Sequence, residues 1–213
     1  MIAYIFGAGE YAGGAPQVKE RDLVICADGG YLTASRLGLR IDLAIGDFDS
    51  LGYAPELGDG EVLRLPVEKD VTDAEAAILA AEERGADTIV LLGCTGGRPD
   101  HTLAAQQLLA AIAERGGRPY LVGDGFVAYA LSSGTVRFSE RAVGTLSVFA
   151  VGGIAKGVTI EGAKYTLDGA DLSPSAPLGV SNSFVGQGVR ISVEDGTLLL
   201  FAEGESIREM TVE

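Results

Sequence analysis

Short apolar runs alternate with helix-length patterns through the first 123 residues. Residues 2–6, 23–27, 43–45, 62–65, 88–92 and 119–122 are continuous enough in apolar character to read as buried strands. Residues 31–37, 73–84 and 102–115 read as helices from their length and their Ala, Leu and Glu content. Thr72-Asp-Ala-Glu75 forms a capping box at the start of the second helix. Pro99 suits the first turn of the third, and Gly116-Gly117 stops it. Strands alternating with helices predict a parallel sheet with right-handed crossovers.

After about Gly123 the pattern changes. Short β-prone runs at 136–138, 145–151, 158–161, 189–193 and 197–202 are separated by Gly, Ser, Asp and Pro, and no helix-length period remains. Asp195-Gly196 carries a hairpin signal. The expectation is therefore an α/β domain over 1–123 followed by an antiparallel β-sandwich over 124–213.

Bulk composition narrows the functional classes. Apolar residues make up 47% of the chain and its mean hydropathy is +0.25, which indicates a well-cored globular protein. Sixteen basic against thirty acidic residues leave a formal charge of −14, a poor surface for nucleic acid. Cys26 and Cys94 each end an apolar run and read as small core residues, since two cysteines and one histidine make a weak zinc signal. The start of the chain has no basic leader pattern, and no apolar run approaches the ~18 residues of a membrane span, so a cytoplasmic protein without membrane attachment is expected.

The chemistry-bearing residues gather where an open parallel sheet binds its ligands, beyond the carboxyl ends of the strands. Residues 23–27 lead into Asp28-Gly-Gly30, and 43–45 into Gly46-Asp-Phe-Asp-Ser50. Residues 62–65 lead into Lys69-Asp-Val-Thr-Asp73, and 88–92 into Gly93-Cys-Thr-Gly-Gly-Arg-Pro-Asp-His101. Asp47 and Asp49, two residues apart on an extended segment, would share a face. Such like charges repel unless a proton or cation lies between them, and oxygen-only ligands suit Mg²⁺ or Mn²⁺. Each Asp alone also reads as a turn or cap residue, but four such loops on one rim favour a polyphosphate site.

Lys69 and Arg98 supply cations for phosphate, Gly96 and Gly97 leave backbone N–H groups accessible, and the helix near Pro99 adds its positive end. Arg98 could instead pair with Asp100, and His101 could simply pack or cap. There is no G-x-x-x-x-G-K-[ST] phosphate loop and no G-x-S-x-G elbow. Gly7-Ala-Gly9 supplies only half of a dinucleotide fingerprint.

Together, Ala27-Asp-Gly-Gly30, Gly46-Asp-Phe-Asp-Ser50, Lys69-Asp-Val-Thr-Asp73, Gly96-Gly-Arg-Pro-Asp-His101 and Ser181-Asn-Ser-Phe184 resemble the thiamine pyrophosphokinase family, in order and along nearly the whole chain. The resemblance implies Mg²⁺-dependent transfer of a pyrophosphoryl group from ATP to thiamine, with AMP released. By position it implies that Asp28, Asp47, Asp49 and Asp73 form the metal cluster, with Asp47, Asp49 and Asp73 catalytic. Lys69, Thr72, Gly96, Gly97, Arg98, Asp100 and His101 would serve the ATP phosphates, and Ser181 and Asn182 the aminopyrimidine of thiamine. It also implies a homodimer with the active site between subunits. Because the chain has no Trp, any stacking on thiamine must use Tyr or Phe. The alternatives are a pyrophosphokinase for another hydroxymethyl heterocycle such as a pterin, a metal-dependent phosphohydrolase, and a thiamine or nucleotide sensor without turnover.

Overall fold

The computed structural model describes residues 1–49, 51–68 and 70–213. They form two compact units, one of Met1–Ala105 with Leu121–Asp124, the other of Gln106–Tyr120 with Gly125–Glu213.

The first unit carries a parallel sheet, as its alternating pattern predicts. The strands are β1 (Ile2–Phe6), β2 (Leu23–Ala27), β3 (Leu43–Gly46), β4 (Glu61–Arg64) and β5 (Thr88–Leu92), in the order β4-β3-β2-β1-β5. Every pair is parallel, and the order reverses between β1 and β5. Helices α1 (Gly30–Arg36) and α2 (Asp73–Glu83) both pack on β1 and β2. Strand alternation puts Phe6, Val24, Cys26 and Leu92 into one cluster with Ala34 and Tyr31 of α1 and with Leu37 just beyond it. α2 contributes buried Ala77, Ile78, Ala80 and Ala81. Each fully buried large side chain stabilises the fold by about 1.5–3 kcal/mol.

Residues 62–65 were expected to be a buried strand. β4 instead forms the edge of this sheet and is exposed along its whole length.

At the opposite, amino-terminal ends of the strands, Asp22 is buried and accepts from the N–H groups of Ile2 (3.1 Å) and Lys19 (3.1 Å). Burial alone would raise its pKa, but these amides, with Arg21 and Lys19 nearby, hold it below the usual carboxylate range. Helix α3 (Pro99–Glu114) begins at Pro99, and β6 (Arg118–Val122) follows it.

The second unit is β-rich and antiparallel. Its strands are β7 (Phe126–Phe138), β8 (Thr145–Glu161), β9 (Leu167–Leu172), β10 (Gly179–Ser183), β11 (Val189–Glu203) and β12 (Met210–Val212). A 3-10 turn, Ser206–Glu209, precedes the last. β8, β11 and β7 are neighbours, β10 and β9 pair with opposite halves of β8, and β12 pairs with β7.

Two expectations need correction here. Runs 145–151 and 158–161 belong to one strand, β8, as do 189–193 and 197–202 in β11. Asp195-Gly196 makes no hairpin; it lies where the register of β11 shifts against β7 and β8, with Gly196 at φ 98°. The left-handed glycine that closes a hairpin can equally open a bulge, and cross-strand pairing decides between them.

Residues from both halves of the long strands share one core, among them Leu131 and Val136 of β7, Leu146 and Ile160 of β8, and Ile191 and Leu198 of β11. Phe138, near the end of β7, meets Phe184, just beyond β10, at 5.1 Å between ring centres. Both halves of these long strands therefore contribute to a single core. Among the described residues, no helix is long and apolar enough to cross a membrane.

Candidate active site

Tight backbone approaches shape the carboxyl-end rim of the parallel sheet. A β-carbon on Gly30 would run into the Phe6 carbonyl, so glycine lets α1 start hard against β1. A β-carbon on Gly46 would sit 3.1 Å from the Asp28 Cα. Asp28 in turn donates its N–H to the Ile45 carbonyl at 2.9 Å and adopts a left-handed backbone, φ 47°. The ends of β2 and β3 are thereby brought together with a carboxylate on each.

Asp47 and Asp49 reach that point by a different route from the expected one. β3 ends at Gly46, and Phe48 between them is left-handed at φ 60°, so the segment is not extended. The Asp49 N–H donates to Asp47 Oδ1 at 3.1 Å, and Gly52 N–H returns to the Phe48 carbonyl at 3.1 Å. The outcome is a turn that places one carboxylate oxygen each of Asp28, Asp47 and Asp49 within 4.8 Å of one another. At such separations each like-charged pair costs roughly 1–4 kcal/mol between a water-like and a protein-surface dielectric. An oxygen-only donor set with that repulsion to relieve fits a hard divalent cation.

Asp73 opens α2 and falls outside this triad, although one of its oxygens is sealed from solvent. Thr72 caps the same helix: its hydroxyl accepts from Glu75 N–H at 3.1 Å, the N-cap half of the capping box. Lys69 lies outside the described residues.

On the β5 side, Gly96 and Gly97 are left-handed at φ 79° and 63°. Arg98 grips Asp100 with two bonds, Nε to Oδ1 at 3.2 Å and a terminal nitrogen to Oδ2 at 2.6 Å. That fork holds Asp100 below the usual carboxylate range, and both groups are exposed. His101 is exposed in the first turn of α3.

Gly7 and Gly9 have a structural task. Gly7 N–H bonds to the Leu92 carbonyl (2.8 Å) and Gly9 N–H to the Gly93 carbonyl (2.7 Å), and a β-carbon on either glycine would strike the β5 loop. Burial pushes the thiols of Cys26 and Cys94 up to about 12, which keeps both protonated near neutral pH.

In the β-rich unit, Ser181 is exposed, left-handed at φ 59°, and donates its N–H to Ser147 Oγ at 3.1 Å. Asn182 differs. It is buried, its Oδ1 accepts from the N–H groups of Tyr165 (2.9 Å) and Ser183 (2.9 Å), and its Nδ2 donates to the Tyr165 carbonyl (2.6 Å). The amide clamps both backbone groups of Tyr165, whose side chain is 59% exposed with the Lys164 ammonium 5.3 Å over its ring. Sequence reading missed Tyr165; the signal available was an aromatic next to a lysine in a loop otherwise made of small and polar residues.

Two family models match this chain: "Thiamin pyrophosphokinase, catalytic domain" over residues 16–120, and "Thiamin pyrophosphokinase, vitamin B1 binding domain" over residues 135–198. The chain belongs to the thiamin pyrophosphokinase family. A thiamine pyrophosphokinase of Bacillus subtilis (strain 168) is 37% identical over 94 residues, a match spanning 42% of this chain and 44% of that relative. Among solved structures, the thiamin pyrophosphokinase of Geobacillus thermodenitrificans is 29% identical with a TM-score of 0.77, covering 97% of this chain and 99% of its own. The Bacillus subtilis enzyme structure is 26% identical with a TM-score of 0.81, covering 95% and 99%. Within the family frame, Asp28, Asp47, Asp49, Asp73 and Arg98 fall in the catalytic-domain match, and Tyr165, Ser181 and Asn182 in the vitamin-binding match.

Proposed function

We propose that this protein transfers a pyrophosphoryl group whole from ATP to the hydroxyl of thiamine, giving thiamine diphosphate and AMP. The observation that carries the reading is the convergence of Asp28, Asp47 and Asp49 on one rim of a sheet in a chain of this family. The proposal takes 1–123 as the catalytic domain and 124–213 as the thiamine-binding domain.

Asp28, Asp47 and Asp49 would hold Mg²⁺, which when bound offsets the charge of the polyphosphate. Asp73, at the start of α2, is proposed to complete the cluster and, with Asp47 or Asp49, to accept the proton of the attacking hydroxyl. Lys69, Gly96, Gly97, Arg98, Asp100 and His101 would line the phosphate side. The Arg98–Asp100 pair is exposed, so exchanging Asp100 for a phosphate costs Arg98 little. Thr72 contributes by capping α2, which keeps Asp73 in place. On the thiamine side, Ser181 and the exposed ring of Tyr165 would meet the ligand, with Asn182 behind them. Tyr165 is the aromatic we assign to stacking. The negative rim favours the fixed positive charge of the thiazolium. The working unit is proposed to be a homodimer in which the β-rich domain of one subunit completes the cleft of the other. The site is placed in the cytoplasm, where ATP is available.

The test is AMP release from the purified protein with ATP and Mg²⁺, with and without thiamine, beside an EDTA control. The account expects AMP only when thiamine and metal are both present. ADP or inorganic phosphate formed without thiamine would replace the reading with a phosphohydrolase, and turnover on a hydroxymethyl pterin but not on thiamine would change the substrate.

A further inference from the structure

We propose that Phe48 is a positioning residue for the metal-holding carboxylates, its buried ring pinning the turn that brings Asp47 and Asp49 onto Asp28. The inference rests on the metal reading above and adds a residue that touches neither metal nor substrate.

The conformation and the residue type are at odds. A left-handed backbone suits Gly, Asn or Asp, whereas a bulky side chain there is an outlier. Phe48 nonetheless adopts φ 60°. Its side chain is only 2% exposed, although it sits in a loop beyond the end of β3. Burial of the ring is therefore the force that holds an unfavourable backbone.

That backbone has a consequence for the carboxylates. Alternate residues of an extended strand lie about 6.5 Å apart along its axis. With Phe48 left-handed, the chain turns back, Asp49 N–H reaches Asp47 Oδ1 at 3.1 Å, and the oxygens of Asp28, Asp47 and Asp49 gather within 4.8 Å. The Gly52 N–H bond to the Phe48 carbonyl closes the turn from the other side. A glycine at this position would take the same φ without strain, but with nothing to hold it there.

The test uses Mn²⁺ alone as probe, titrated into the full chain without nucleotide, with the signal of free Mn²⁺ read by electron paramagnetic resonance. Melting is followed in parallel. Phe48→Leu keeps a buried apolar anchor and is expected to retain the parent affinity. Phe48→Gly, folded by circular dichroism, is expected to bind Mn²⁺ about tenfold or more weakly, the scale seen when a group that orients metal ligands is lost. Equal affinity of a folded Phe48→Gly and the parent would overturn the positioning role and leave the metal site standing. If Phe48→Gly does not fold, Phe48→Val decides, because it stays apolar while its branched side chain resists positive φ. Val weaker than Leu supports the inference, and Val equal to Leu overturns it. Absence of Mn²⁺ binding by the parent would overturn the metal reading and this inference together.

Discussion

The acid rim of the parallel sheet and the Ser181–Asn182 corner of the β-rich unit were read by the same means, as short motifs, yet they are built in opposite ways. On the rim, the motif residues themselves converge: Asp28, Asp47 and Asp49 present oxygens within 4.8 Å. At the corner, the more conspicuous motif residue faces inward. Asn182 spends its amide on Tyr165 and Ser183 and is buried, while the surface is offered by Tyr165 and Ser181. On the proposed function, one motif would mark the groups that meet a ligand and the other the scaffold that presents them. Burial and hydrogen bonding decide between the two.

The sharpest way to break this contrast is Asp47→Asn. It should lower kcat by about a thousandfold or more, the scale of lost charge stabilisation in a transition state. The melting temperature should hold or rise, because the repulsions of Asp47 with Asp28 and with Asp49 are both relieved. A fall in stability with normal turnover would make Asp47 the scaffold residue.

At the corner the expectation reverses. Asn182→Ala should destabilise by about 2–3 kcal/mol, since it leaves the Tyr165 backbone groups without their partners. Tyr165→Ala should leave stability within about 0.5 kcal/mol, as for other exposed positions. Both should raise the KM for thiamine and leave that for ATP unchanged; denaturant melts and paired kinetics separate the four outcomes.

Asp22 sharpens the comparison from the other end of the sheet, where a carboxylate is held by amides. Asp22→Asn should cost about 1–3 kcal/mol. Because its folded pKa lies below its unfolded one, the carboxylate's contribution is full above the ordinary carboxylate range and is lost as pH falls through the lowered folded value. The parent should therefore lose stability in acid more steeply than the variant, a difference that melts across that range would detect.

Smallest of all, Thr72→Ala should remove the cap of α2 at a cost of about 1 kcal/mol, with a modest loss of kcat through Asp73. A rise in the KM for ATP without loss of stability would instead give Thr72 the phosphate contact suggested by the family resemblance.

Most of the α/β unit was legible because its strands are covered by helices and read as continuous apolar runs. The rim was legible for a related reason: strand ends are where turn chemistry begins, so an Asp there stands out against the run before it. What escaped was long-range. Nothing local distinguishes the Asp195-Gly196 bulge from a hairpin, because only pairing with β7 and β8 keeps β11 continuous. β9 and β10, rich in Gly, Ser and Asp, carry no apolar alternation and exist because β8 offers them an edge. The left-handed Phe48 was invisible for the same reason, since no local preference favours it.

The central claim is transfer of the pyrophosphoryl group in one piece, and ATP labelled at the β-phosphorus tests it most directly. Incubation with thiamine and Mg²⁺ should move the label into thiamine diphosphate, on the phosphorus joined to the thiamine oxygen, and leave AMP unlabelled. Label retained in ADP, with thiamine receiving only the terminal phosphate or nothing, would contradict the account.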